Sequence, residues 1–339
     1  MTTKTDEKQY IAICLRKKLY HLFFDHIAED LNRSFELIWL DRDKVENSQE
    51  LNVDQNLLNK VTGYIIGWGS PRISSRLLSQ MPNLEIIALG KGSVKGYVNQ
   101  EVFNKGIKVT SCHMAIAPSV AETTLMLTLM GLKLYSRQRN RMEEGKGRTS
   151  NPVGYELIDK TVGLLGYGRI ARCFRKLLTS FDAEVLAFDP YLDKDDVDGE
   201  DIELVSLPEL IKRSDIISLH APGTKANENL IDREAISNLK DDALIVNTAR
   251  GILIDEEALI EELQTGRIRA ALDVFKNGKP QAGDPLWELD NVVVTPHIGG
   301  YTIDSRKRVG DILISELKRH FKGEKLKYRS NPDTLSIRA

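Results

Sequence analysis

The stretch from Thr161 to Asp189, TVGLLGYGRIARCFRKLLTSFDAEVLAFD, constrains the fold more than any other part of the chain. It opens with an apolar run of strand length, Val162 to Leu165. Gly166-Tyr167-Gly168-Arg169-Ile170-Ala171 follows, and then Ile170, Phe174, Leu177 and Leu178 recur at helical spacing. A second apolar run, Val185 to Phe188, ends on Asp189. Strand, tight turn, helix, strand and acid within about thirty residues is the order of a dinucleotide-binding unit. Gly166 lets the chain turn sharply. Gly168 has no side chain to keep a pyrophosphate from the backbone, and the N–H groups at Arg169 and Ile170 meet its charge. Ala171 takes the third glycine position. Asp189 can accept from both ribose hydroxyls and would repel a 2′-phosphate, which selects NAD over NADP. The competing reading is an ordinary structural turn.

At 339 residues the chain is long enough for two domains with cores of their own. A formal charge of −2 gives no sign of a nucleic-acid or membrane-surface partner. The N-terminal MTTKTDEKQY is polar, without the apolar core of a signal peptide. The most apolar stretch, Leu125 to Leu134, contains Thr and Lys, is too short to span a bilayer and reads as a buried helix. Cys14, Cys112 and Cys173 give neither a disulfide framework nor a metal pattern, which fits a reducing cytoplasm.

Strand-like and helix-like runs alternate along the chain. Strands are expected at Tyr10–Leu15, Phe35–Leu40, Val61–Gly67 and Leu84–Leu89, and Gly106–Thr110 closes this part of the chain. Helices are expected at Leu19–Leu31 and Ile73–Leu78, and a long one from Pro118 to about Arg141. After the glycine turn the rhythm continues with strands at Asp215–Leu219, Ala243–Asn247, Ala270–Val274 and Val292–Thr295. A helix at Glu256–Leu263 stops at Gly266, and a last one runs from Thr302 to His320. This alternation implies an α/β fold of parallel sheets with helices on both faces. Polar and Gly-rich segments follow the strands, on the side where open α/β sheets bind ligands. Trp68, Lys91 to Ser93, His220, Arg250, Asp273 and His297 can therefore face one cleft.

Arg250, in Asn247-Thr248-Ala249-Arg250-Gly251, can hold a carboxylate through a bidentate pair, or form a structural salt bridge. His297, between Pro296 and two glycines, can donate or accept a proton near neutral pH. His220 ends an apolar strand and reads as either a cleft residue or a hydrogen-bonded edge histidine. Asp273 can accept from a carboxamide or cap a loop. Gly92 and Ser93 offer N–H groups to a small anion, or form a plain surface turn. Trp68 reads equally as a pocket wall and as core packing. His21, His26, His113 and His320 have no constellation around them, and no metal site is expected.

Taken together, these residues resemble the NAD-dependent D-isomer-specific 2-hydroxyacid dehydrogenases, a family that includes phosphoglycerate, glycerate and formate dehydrogenases. The resemblance covers about residues 60 to 320, and the first 60 more loosely. It is carried in order by Val120-Ala121-Glu122, the glycine turn, Phe188-Asp189-Pro190, His220-Ala221-Pro222-Gly223-Thr224, Asn247 to Leu259, Ala271 to Phe275, and Pro285 to Gly300. The segments at Gly67 to Pro71 and Gly92 to Gly96 are similar to a less well understood subgroup. The resemblance implies two Rossmann-like doubly wound domains, the cofactor domain (112–298) inserted in a substrate domain (1–111 with 299–339). It implies a homodimer through the cofactor domains and hydride transfer between NAD(H) and a 2-hydroxy or 2-oxo carboxylic acid. Arg250 would bind the carboxylate and polarise the oxo group, and His297 would act as acid or base. Lys91, Gly92 and Ser93 would hold the carboxylate. Gly166, Gly168, Arg169, Ile170, Asp189, His220, Thr224, Thr248 and Asp273 would hold the cofactor.

One departure stands out. The family places a Glu shortly after Asp-Val-Phe, where it pairs with the histidine. Here the segment is Asp273-Val274-Phe275-Lys276-Asn277-Gly278-Lys279-Pro280. Lys279 or Gly278 takes the position, and a cation beside an imidazole favours its neutral form. Lys279 would then serve a second anionic group on the substrate. Asp284 restores a carboxylate if the loop shifts. The alternative is a catalytically impaired NAD-binding sensor or scaffold.

Overall fold

The structure, a computed structural model, describes residues 8–47, 51, 53–150, 153–280 and 282–331. The chain divides into two compact units: residues 1–116 with 302–339, and the continuous stretch 117–301 between them.

Unit 1 is built on five parallel strands: β1 (Gln9–Cys14), β2 (Phe35–Trp39), β3 (Val61–Gly67), β4 (Ile86–Gly90) and β5 (Lys108–Ser111). Their order is β2-β1-β3-β4-β5. The chain winds one way from β1 to β2 and the other way from β3 onward, so the winding reverses between β1 and β3. Alternate residues of β1 feed opposite faces. Ile11 and Ile13 join a core with Phe23, Phe24, Val309 and Leu313, while Ala12 and Cys14 join one with Tyr64, Leu77 and Ile87. Both faces being covered explains why β1, β3 and β4 read as near-continuous apolar runs.

Unit 2 contains seven parallel strands: β6 (Thr161–Leu165), β7 (Glu184–Phe188), β8 (Glu203–Leu204), β9 (Ile216–Leu219), β10 (Leu244–Asn247), β11 (Arg269–Leu272) and β12 (Val292–Val294). The order β12-β11-β10-β9-β6-β7-β8 is that of a dinucleotide-binding sheet, with its reversal between β6 and β9. The two-residue β8 has no apolar run long enough to announce it in the sequence.

The long helix departs from expectation at both ends. It spans His113–Leu132, so Pro118 lies inside it rather than in its first turn. Ala115 and Ala117 are buried, and their packing outweighs the hydrogen bond Pro118 cannot donate. The helix stops where Leu134 turns left-handed (φ 51°), and a separate helix runs Tyr135–Glu143. At 20 residues with mean hydropathy 1.4, the first helix is long and apolar enough by length and composition to cross a membrane, because it begins twelve residues before the Leu125–Leu134 stretch. Ala121, Leu127 and Leu132 are nevertheless packed in the core of unit 2. The expected helix over Leu19–Leu31 is three pieces, Lys17–Phe24, a 3-10 turn at Asp25–Ile27, and Ala28–Ser34.

Candidate active site

In unit 2 the glycine turn closes against the neighbouring strand at the winding reversal. Gly166 has φ +88°, and a Cβ there would lie 2.7 Å from the Ala221 nitrogen at the end of β9. Only glycine satisfies both demands. Around Gly168 the space is open within 4 Å of where a Cβ would sit. Gly168 precedes the helix Arg169–Leu178, whose first turn receives no side-chain cap. An open backbone at Gly168 before a helix start fits the pyrophosphate of a dinucleotide. Asp189, after β7, accepts from the Tyr167 N–H at 3.0 Å and the Tyr191 N–H at 3.1 Å. A carboxylate oxygen has two lone pairs, so each retains one for a ribose hydroxyl. Tyr167, which sequence reasoning passed over, is buried, and its hydroxyl donates to Glu200.

His220 lies at the end of β9, its Nε2 2.9 Å from the Ser218 hydroxyl and its ring 5.9 Å from that of Phe174. Burial pushes its pKa down to about 3, so it is neutral over the physiological range. Thr224 follows in the same loop, its N–H donating to the Pro222 carbonyl at 2.9 Å.

Arg250, Asp273 and His297 follow β10, β11 and β12, three adjacent strands. The Arg250 loop is tied down by Asn247, the fully buried last residue of β10. Its side chain accepts from the Ala249 N–H at 3.0 Å and donates to the Arg250 carbonyl at 2.9 Å. Thr248 meets the buried Thr124 hydroxyl at 2.8 Å. The stem of Arg250 crosses Gly223, where a Cβ would lie 2.5 Å from the Arg250 Cγ. The Arg250 Nη1 donates to the Ala249 carbonyl at 2.6 Å, and the residue stays exposed. Partial enclosure lowers its pKa from the ordinary value without removing its charge.

Asp273, 1% exposed, spends its carboxylate on the turn that carries His297. It accepts from the Thr295 hydroxyl (2.6 Å), the Ile298 N–H (2.8 Å) and the Gly299 N–H (2.9 Å). His297 itself adopts a left-handed φ of 57°, a conformation a non-glycine residue keeps only where its surroundings impose it. The imidazole is exposed, and among the described residues it has no hydrogen-bond or ion-pair partner.

Lys279 is exposed in the turn after Phe275. Its neighbour Lys276 pairs with Glu228 at 3.7 Å. Asp284 caps the short turn Pro285–Trp287, accepting from the Leu286 N–H at 3.0 Å. It does not join the His297 ring as a replacement carboxylate among the described residues. Gln281, in the same segment, lies outside the described residues.

The remaining candidates lie in unit 1. Lys91, Gly92 and Ser93 follow β4, and among the described residues neither the Gly92 nor the Ser93 N–H donates to a protein acceptor. The Lys91 ammonium lies 4.8 Å from the Tyr97 ring centre. Trp68 follows β3, half-buried against Phe23, with the Arg306 guanidinium 4.0 Å over its ring. Asn247 and Gly223 were missed in the sequence. The only signal for Asn247 was a polar residue closing an apolar run, and Gly223 gave none, since its partner is in a different loop.

A family model described as D-isomer specific 2-hydroxyacid dehydrogenase, NAD binding domain, matches residues 125–299. Hydroxypyruvate reductase of Thermotoga maritima is 35% identical over 298 residues, 86% of this chain and 96% of the relative. D-3-phosphoglycerate dehydrogenase of Methanocaldococcus jannaschii is 35% identical over 274 residues, 80% of this chain, which spans only 52% of that relative. Among solved structures, the NAD-complexed D-isomer specific 2-hydroxyacid dehydrogenase of Lactobacillus delbrueckii ssp. bulgaricus superposes with a TM-score of 0.81 at 22% identity, covering 96% of this chain and 100% of that one. These relatives are named for reactions, and nothing among them supports a sensor or scaffold that has lost turnover.

Proposed function

The chain belongs to the NAD-dependent D-isomer-specific 2-hydroxyacid dehydrogenases, and from that premise we propose which of its residues carry the reaction. It is an oxidoreductase that moves hydride between NAD(H) and a 2-hydroxy or 2-oxo carboxylic acid. When bound, NAD supplies the hydride acceptor or donor at its nicotinamide ring.

Arg250 binds the substrate carboxylate and draws electron density from the oxo group. His297 gives its proton to the carbonyl oxygen in reduction and takes it back in oxidation. Both cations favour the negative charge that grows on that oxygen in the transition state. The Gly92 and Ser93 N–H groups, with Lys91, hold the carboxylate. Gly166, Gly168, Arg169 and Ile170 receive the pyrophosphate, and Asp189 receives the ribose. His220, Thr224, Thr248 and Asp273 border the nicotinamide end. The observation that carries this reading is that the Arg250 and His297 turns are each clamped by a buried polar side chain, Asn247 and Asp273. Such clamps preorganise a site before substrate arrives.

The proposal extends to a substrate domain of residues 1–111 with 299–339 around a cofactor domain of 112–298. It also covers a cytoplasmic homodimer without nucleic-acid or membrane partners. His297 works without a glutamate partner. Profiles of kcat/KM against pH for the wild type, Lys279→Ala and Asp284→Asn test this. Wild-type turnover with a profile that Asp284→Asn leaves in place supports an unpartnered His297. A profile that collapses in Asp284→Asn shows that this carboxylate is the partner after all. If Lys279→Ala changes neither rate nor profile, Lys279 leaves the site.

A further inference from the structure

The winding reversal of unit 1 lies between β1 and β3. In open α/β sheets the crevice at the carboxyl ends of the two strands flanking a reversal is where ligands bind. Here that crevice is built rather than left open. The Ser70 hydroxyl donates to the carbonyl of Cys14, the last residue of β1, and accepts from the N–H of Gly67, the last residue of β3, at 2.9 Å. The loop Trp68-Gly69 is thereby fixed across both strand ends.

Cations converge on this loop from separate parts of the chain. Arg16, two residues beyond β1, lays its guanidinium against Gly69. A Cβ on Gly69 would lie 3.0 Å from the Arg16 Nε, and Gly69 has φ +78°, so no other residue fits there easily. Arg42, three residues beyond β2, donates to the Gly69 carbonyl at 3.0 Å. Arg306 covers Trp68. The acids nearby serve Arg42: Asp43 at 3.3 Å and Glu46 at 4.0 Å. Asp41 caps the helix Arg42–Glu46. Arg16 has no acidic partner among the described residues, so its charge stays uncompensated beside a second guanidinium.

We propose that Arg16, at the β1/β3 crevice of unit 1, binds a second anionic group on the substrate, a carboxylate or a phosphate. This rests on the reading that Gly92 and Ser93 hold the first carboxylate. Those residues follow β4, two strands from β1. Two strand spacings are roughly 10 Å, and a guanidinium stem covers about half of that. The span suits a 2-oxo acid of four or five carbons with a terminal carboxylate, or a three-carbon one with a phosphate ester. Arg42 positions the loop and Arg16 supplies the charge, and a guanidinium can bind either anion bidentately.

The test pairs substrates that differ only in the far group: 2-oxoglutarate against 2-oxopentanoate, and phosphohydroxypyruvate against hydroxypyruvate. In the wild type the two-anion member of at least one pair should have the higher kcat/KM by about tenfold or more, and Arg16→Gln should lower that ratio by a similar factor. Which pair responds separates carboxylate from phosphate. A ratio near one in the wild type, or one that Arg16→Gln leaves unchanged, overturns the proposal. A variant that merely folds poorly lowers both members together and leaves the ratio intact. If no 2-oxo acid is turned over, the reaction assigned above fails, yet the site remains testable. Malonate and inorganic phosphate are then titrated calorimetrically into the wild type and Arg16→Gln. Binding of either that is lost in the variant supports the site; no binding, or equal binding, overturns it.

Discussion

Arg250 and His297 are held from behind by neutral or buried partners, and that division of labour sets what single substitutions should do. Arg250→Lys keeps the charge and loses the planar fork, so kcat/KM should fall by about a hundredfold while NADH affinity is kept. Steady-state kinetics with a fluorescence titration of NADH would show it; an equal loss in both would mean that Arg250 is structural. Asp273→Ala removes three acceptor contacts from the His297 turn. It should cost about 2 kcal/mol or more of stability and lower kcat further than a distant variant of equal instability. His220 makes the stability of unit 2 sensitive to acid. Its pKa in the folded protein, about 3, is below the ordinary 6.5, so between those values the unfolded chain binds the extra proton. The stability it contributes is complete above about pH 6.5 and is lost as pH falls towards about 3. Urea midpoints across that range should drop more steeply for the wild type than for His220→Gln, and parallel curves would contradict the assignment.

Elements bring these residues together, some through local chemistry and some through packing between distant segments. The glycine turn, the apolar strands and the αL stop at Gly266 (φ +78°) were legible because each depends on local chemistry. The start of the long helix was not, because Pro118 argued locally for a boundary that the burial of Ala115 and Ala117 overrides. The crossing of Gly223 by the Arg250 stem, and the clamp of Asp273 on the His297 turn, join loops far apart in sequence and leave no periodic trace. Gly223→Ala belongs to this scale. Its added methyl would displace the Arg250 stem, so catalysis should fall while NADH still binds; unchanged kcat/KM would show that the crossing has no catalytic weight. Asp189→Ala tests the pairing of the glycine turn with β7. The preference for NADH over NADPH should shrink about tenfold, since the carboxylate no longer repels a 2′-phosphate.

The whole chain combines a five-stranded unit and a seven-stranded unit, each with its own two-sided core. Nothing local in the sequence distinguishes which acid such a frame reduces; that information lies in how strand ends gather charge. The central claim is that this enzyme runs its proton transfer on His297 without a glutamate partner. The most direct test is the rate of NADH oxidation with a panel of 2-oxo acids by the wild type and by His297→Ala. The account predicts turnover of at least one acid by the wild type and a loss of about a hundredfold or more in the variant, with NADH affinity retained. Silence of the wild type across the panel while NADH binds, or turnover unchanged in His297→Ala, would contradict it.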